Sequence, residues 1–325
     1  MSDFGKKWFG VAPLFNPKDG ATIITPDGGG RGSWVGGLSA LHDEGTFYLF
    51  YRERRPIGEG RGWRCHIAES TDGLSFTTAW TATKEDLNAE SIEAGALVKS
   101  LEGKLRLYVS YVDLDDRRWK IAMIEGETPA DFSASKRTVV LTADDADSEG
   151  VKDPYVAIVG GRYYMFTHYA PRSLQPTDAT EEELHGTGNI FATGKGRGSS
   201  GLAVSNDGFH FDWVGDVVPP GDGWDEKLTR VDTMVYIPPV FTVFYSARPN
   251  VDVTYEDNTG VAVSLDLVNF HKLTPDKPAL VSPWGTGALR YMDAVQLGDE
   301  IWYYYECAGE DESHEIRLNR VKVAS

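Results

Sequence analysis

The chain is 325 residues long, carries a formal net charge of −17 and is 12% aromatic, with nine Trp and fifteen Tyr. That length suffices for a substantial core, and the acidic balance argues against nucleic acid or an anionic membrane surface as partners, since both need a Lys/Arg face. Cys65 and Cys307 build neither a disulfide framework nor a zinc pattern; MSDFGKKWFG lacks a signal-peptide core and no window reads as a membrane span, so a cytoplasmic location is expected.

In chain order, residues 8–15, WFGVAPLF, read as a strand ending at Asn16-Pro17. Gly45 then precedes TFYLFYR, Gly103 precedes KLRLYVSY and Gly161 precedes RYYMFTHY, at two successive spacings of 58 residues. Each run is the second strand of a hairpin, clearest in Val151–Tyr169 with its turn at Gly160-Gly161. Apolar on both faces, such strands must be covered on both sides. The same hairpin returns with PVFTVFYSA from Pro239 and EIWYYYECA from Glu300, which makes five copies. Short strands finish the units at Thr138–Leu141, at Trp213–Val218 and before Ser282-Pro283.

A second signature follows the hairpins. Ser70, Asp72 and Phe76 recur as Ser205, Asp207 and Phe211, and as Ser264, Asp266 and Phe270. The Asp can hold its own turn backbone while the Phe packs between units. The last unit has three obvious strands, ending in IRLNRVKVA, so the N-terminal strand is expected to supply its fourth and close a ring. The reading is an all-β fold, a single domain over residues 1–325, forming a five-bladed β-propeller with four-stranded antiparallel blades. Thr83–Leu87 and Thr180–His185 can form a turn or short helix. The inserted segment Pro171–Ser200 reads either as a flap near the channel mouth or as a surface loop without a role.

In a propeller the innermost strand of each blade lines the channel, so polar groups at its start are the default site candidates. That position offers Gly36-Gly37 in the first unit, then Glu93, Asp153, Asp232 and Asp293 in the next four. Carboxylates there run against β-propensity and cost desolvation. Converging carboxylates suit glycoside hydrolysis, one protonated to donate to the leaving oxygen and another ionised to activate water or attack. Trp34, Trp63, Trp224, Trp284 and Tyr291 offer flat apolar faces to sugar rings, and Arg52, Arg230, Arg290 and His168 offer donors. Arg54, Arg55, Arg61 and Arg64 read as a solvated loop face or an anion-binding set. Glu306, after an inner strand, and Asp27, in a Gly-rich loop, are further acids that could reach the channel. No cofactor is expected; the one metal expectation is a Ca2+ held near His168 by oxygen ligands.

Asp153-Pro154, with its hairpin and the unit repeats, resembles the five-bladed glycosidases of glycoside hydrolase families 43 and 32. The resemblance spans nearly the whole chain as architecture. It implies an Asp base or nucleophile on the first blade, a tuning Asp before Pro on the second and a Glu acid on the third. Here the first unit has Gly36-Gly37 and the Asp-Pro element stands on the third, so a set shifted by one blade makes Glu93 the base or nucleophile and Asp232 the acid. The implied function is an exo-acting glycosidase on a small glycoside or oligosaccharide. A glycoside phosphorylase, with Arg52, Arg54 and His168 holding phosphate, and a non-catalytic carbohydrate-binding propeller are the alternatives.

Overall fold

The computed structural model of the protein describes residues 10–56, 59, 61–250 and 256–323. Its strands are β1 (Ala21–Ile24), β2 (Trp34–Asp43), β3 (Thr46–Arg54), β4 (Gly62–Ser70), β5 (Thr77–Thr83), β6 (Ala89–Lys99), β7 (Leu105–Asp113), β8 (Trp119–Gly126), β9 (Thr138–Leu141) and β10 (Ser148–Val159). They continue with β11 (Arg162–Pro171), β12 (Ser199–Ser205), β13 (Asp212–Val218), β14 (Leu228–Ile237), β15 (Val240–Arg248), β16 (Asn258–Ser264), β17 (Phe270–Lys272), β18 (Leu289–Leu297), β19 (Glu300–Ala308) and β20 (His314–Lys322). The second strands carry the aromatic and branched runs, and β7 and β19 are buried along almost their whole length. One short helix, α1 (Glu181–His185), is started by a capping box between Thr180 and Glu183. No helix of the described residues is long and apolar enough to cross a membrane.

Three sheets are four-stranded and antiparallel: β6–β9, β10–β13 and β14–β17. A fourth, eight-stranded sheet joins β2–β5 to the set β18, β19, β20 and β1 through one parallel pair, Trp34 opposite His314. The protein is all-β, and its four-stranded sets fit a β-propeller. The first strands of the sets touch in order: β2 meets β6, β6 meets β10, β10 meets β14, β14 meets β18, and β18 meets β2.

The strand beside β20 comes from the N-terminal part of the chain, as expected, but it is β1 and not residues 8–15. Trp8 and Phe9 lie outside the described residues, and residues 10–15 form no strand. Pro13 has no N–H to give a ladder. Side chains fix this segment instead: Phe15 packs on Tyr303 and Tyr305 at 5.1 and 4.9 Å between centroids, and Ala12 N donates to Thr242 Oγ1 at 2.9 Å.

The three Ser–Asp–Phe turns do what their sequence implies. Asp72 Oδ1 accepts from Leu74 N and Ser75 N at 2.8 Å each, while Ser70 Oγ accepts from Gly73 N at 2.9 Å. Asp207 and Asp266 hold their turns in the same way. Phe76, Phe211 and Phe270 meet Tyr304, Tyr108 and Phe166 of the adjoining set edge-on, at 6.2, 6.0 and 5.9 Å.

Every first strand slips register at a corresponding place: between Gly36 and Ser39, Ile92 and Gly95, Lys152 and Tyr155, Val231 and Thr233, and Arg290 and Asp293; β6 and β10 slip a second time near their starts. A bulge of this kind re-aims the side chains it carries. Gly37, Asp153 and Tyr291 take φ values of 58°, 53° and 47° there. Aligned on the end of the bulge, Gly37, Glu93, Asp153, Val231 and Tyr291 are equivalent. Asp232 stands one residue later and Asp293 two. The expectation of four equivalent carboxylates is therefore corrected.

Asp293 shares its place with Ser39 and Thr233, and it binds both of them. Ser39 Oγ and Ala40 N donate to Oδ2 at 3.0 and 2.8 Å, and Thr233 Oγ1 and Ala294 N donate to Oδ1 at 2.8 Å each. It ties β18 to β2 and β14 and does not line the central pit, so its reading as a substrate-binding residue is corrected. Burial pushes its carboxyl up to about 6 in spite of these donors. Asp293→Ala leaves four donors without their acceptor and is expected to cost about 3 kcal/mol, with Asp293→Asn costing less. Urea midpoints at unchanged slope measure this, and an alanine variant as stable as the parent would remove the residue from this role.

Candidate active site

The bulges deliver charged residues into one central pit. Five cations line it, Arg54, Lys152, Arg230, Arg248 and Arg290, with the carboxylates of Glu93 and Asp257. Tyr291 lies among them: the Arg230 guanidinium sits 3.6 Å from its ring centroid, Arg290 5.2 Å and Arg52 5.8 Å. Asn189 and Phe191 form another part of the wall. The free space is about 20 Å³, room for one or two waters.

Each of the carboxylates gathered around the pit answers to at least one guanidinium. Arg52 Nε donates to Glu93 Oε1 at 2.6 Å, and Arg54 stands 3.9 Å from Glu93 Oε2. Glu306 Oε1 accepts from Arg290 Nε and Nη2 at 2.9 and 2.7 Å and lies 2.7 Å from His314 Nδ1, and Glu306 Oε2 accepts from Gly37 N at 3.1 Å. Arg230 serves three acids at once, Asp232 at 3.0 Å, Asp257 at 3.2 Å and Asp153 at 3.6 Å. Asp153 also faces Lys152 at 3.2 Å and accepts from Tyr291 Oη at 3.3 Å.

These surroundings split the acids. Burial alone would raise the Glu93 carboxyl, but Arg52, Lys152 and Arg54 outweigh it and hold the group well below the usual carboxylate range. Asp257 is pulled to about 2 against its burial by Arg248, Arg230 and Arg290, and Glu306 goes well below its ordinary value through Arg290 and Arg52. Asp232 goes the other way. Its burial outweighs Arg230 and Ser246 and pushes it up to about 6. The His168 Nδ1 lies 2.9 Å from Thr229 O and so carries the ring proton. Burial, Lys152 and Arg230 keep that ring neutral.

The structure thus gathers Glu93, Asp153, Asp232, Glu306, Arg52, His168, Arg230 and Arg290 around one centre. The first unit has no room for side chains here: a Cβ on Gly36 would overlap the Glu306 carboxyl, and one on Gly37, the equivalent of Glu93, would crowd Ala94 and Arg52. Other expectations fall away. Trp224 stacks on Tyr245 at 5.7 Å, donates to Thr274 O at 2.8 Å and is a packing residue outside the pit. Trp34 is fully buried, stacked on His314 at 4.5 Å with Arg54 and Arg290 each 5.1 Å away, so it backs the pit and offers no sugar face. Trp63 is covered by Arg55 and Arg64, and Trp284 by Arg317. Asp27 pairs with Arg64 at 2.7 Å on the exterior. Arg54 belongs to the pit and not to a solvated loop face. The neighbours of His168 are cationic, and no group of three or more metal-ligating residues occurs among the described residues.

Lys152, Arg248, Asp257, Asn189 and Phe191 were not singled out by the sequence reading. Lys152 had a signal, since it holds the place of Arg230 and Arg290 just before the bulge. Asn189 and Phe191 belong to the inserted segment, which is anchored and not a loose surface loop. Ile190, Phe191 and Leu184 pack with Trp119 and Val112, Trp119 Nε1 donates to Asn189 Oδ1 at 3.2 Å, and Arg248 Nη2 donates to Phe191 O at 3.3 Å.

No protein-family model matches the chain, and no curated protein matches it in sequence. Solved structures do resemble it. A thermostable family-43 glycoside hydrolase aligns with a TM-score of 0.62 at 16% identity, over 91% of this chain and 92% of that one. A glycosyl hydrolase from Bacteroides ovatus gives 0.62 at 15%, over 100% and 98%. A family-43 enzyme from Xanthomonas citri complexed with xylose gives 0.63 at 11%, over 94% and 91%. What is shared is the fold.

Glu306 is fully buried between Arg290 and Arg52. Its carboxyl is depressed in the folded state, so its contribution is present above the ordinary value of 4.5 and lost as pH falls below it. Glu306→Gln removes a buried charge that Arg290 and Arg52 face, leaving Arg52 to Glu93 and Arg290 to Asp257, and is expected to cost about 3–5 kcal/mol. Thermal melts from pH 7 down to about 3 check both points: the variant starts lower and loses less on acidification, whereas parallel curves would contradict the assignment.

Proposed function

We propose that the protein is a glycosidase acting on a small glycoside or a chain end, with Glu93 as base or nucleophile, Asp232 as acid and Asp153 tuning the pair through Arg230 and Tyr291. The observation that carries this reading is the separation of the two acids. One carboxyl in the pit lining is held ionised, and another across Arg230 is pushed up to about 6. Two carboxyls with opposite shifts in one site are the pattern of an acid and a base working together. Asp232 would give its proton to the leaving oxygen as the glycosidic bond breaks. Glu93 would take the proton of an attacking water or itself attack the anomeric carbon.

The fold supports the same reading. We take the five four-strand sets as the blades of one closed five-bladed propeller and a single domain. The contact between β18 and β2 and the pairing of β1 with β20 support closure. The solved glycoside hydrolases of similar fold favour a carbohydrate substrate.

With a panel of aryl glycosides, Glu93→Gln and Asp153→Asn are each expected to reduce turnover by about a hundredfold or more. Full activity in either variant removes that residue from the mechanism. The acid must be protonated, so kcat/KM is expected to fall as pH rises through about 6, and that limb should vanish in Asp232→Asn. Sugar binding without cleavage at any pH would make the protein a carbohydrate-binding propeller instead.

A further inference from the structure

The pit is cationic in a protein whose net charge is −17. Its five lining cations face two lining carboxylates, while Asp153, Asp232 and Glu306 do not line it. Arg230 is 3% exposed, and its Nη2 donor has no hydrogen-bond partner among the described residues. Buried polar atoms are rarely left in this state unless a water or ligand meets them. Guanidinium forks match the paired oxygens of a carboxylate or phosphate, whereas neutral hydroxyls do not require so many desolvated charges. The space of about 20 Å³, room for one or two waters, admits the oxygens at the tip of an acid group and not a whole sugar ring.

We propose that this pit binds a small oxyanion, either an acid group carried by the sugar substrate or inorganic phosphate serving as the attacking co-substrate. The inference deepens the glycosidase reading and rests on it for the position of the sugar. In the first case the anion anchors the ring and water takes the glycosyl group. In the second a phosphate oxygen forms the bond to the anomeric carbon as the glycosidic C–O bond breaks. The acid's proton then goes to the leaving oxygen, and the products are a sugar 1-phosphate and the free alcohol.

Titration calorimetry on the full chain with inorganic phosphate, D-glucuronate and D-glucose tests the binding directly. At least one oxyanion is expected to bind at about millimolar Kd or tighter while glucose does not. Arg54→Ala and Lys152→Met should each weaken it by about tenfold or more, and Lys152→Arg should restore it. Circular dichroism and melting of each variant show whether it is folded, and the two substitutions are independent. No oxyanion binding up to about 10 mM, or binding unchanged in both folded variants, overturns the proposal.

Turnover then separates the sources. Cleavage of an aryl uronide without phosphate assigns the anion to the sugar. Cleavage of a neutral glycoside that needs phosphate and releases a sugar 1-phosphate assigns it to the co-substrate. Oxyanion binding with no cleavage of any glycoside keeps the pit and removes the glycosidase. Phosphate-independent cleavage of neutral glycosides with no oxyanion binding does the reverse.

Discussion

The centre of this protein is a set of buried ions that stabilise one another, and no member can be altered alone. Arg52 lies between Glu93 and Glu306, Arg290 between Glu306 and Asp257, and Arg230 among Asp153, Asp232 and Asp257. Taking each ion out of water costs several kcal/mol, and only close partners of opposite sign offset that. The arrangement therefore depends on alternation of sign around the pit. Tyr291 adds a ring face to three of the guanidinium groups and takes a positive φ to do so.

That alternation follows from a backbone device repeated in every first strand. A regular strand would send successive side chains to opposite faces of its sheet. The bulge breaks this rhythm at the same height in every first strand. Residues just before it supply cations, Lys152, Arg230 and Arg290. Residues within it supply Glu93, Asp153, Asp232 and Tyr291, and residues just after it supply the clasp of Ser39, Thr233 and Asp293. Charge chemistry and mechanical linkage are thus separated by a shift of two residues along one strand.

This explains which parts of the molecule were legible in the sequence. The second strands are apolar on both faces and mostly follow Gly turns, so their number could be read directly, as could the short fourth strands β9 and β13; the one expected before Ser282-Pro283 is instead β17, Phe270–Lys272. The acids Glu93, Asp153, Asp232 and Glu306 stood out because carboxylates beside apolar strands need a reason. Asp293 looked the same, since a bulge shift of one or two residues leaves no mark in a one-dimensional pattern. Trp224 and Trp34 misled for a related cause: an aromatic ring that packs and one that meets sugar have the same composition. Arg248 and Asp257 reach the pit from a strand end and a loop, where periodicity says nothing. The inserted segment concealed its anchors, Leu184, Ile190 and Phe191, among Gly, Thr and Ser.

The fold by itself leaves the chemistry open, because one architecture hosts many sites. What distinguishes this one is the placement of Arg230, which touches both the raised acid and the pit. Its guanidinium now lowers the Asp232 carboxyl against the effect of burial. An anion in the pit would draw on the same positive charge and add a negative one nearby, and both changes favour the protonated acid. A ligand of that sign would thus bind where the cations are and keep the proton on Asp232, the group proposed to donate it. A neutral ligand would do neither, which is the physical reason for connecting the charge of the pit with the acid behind it.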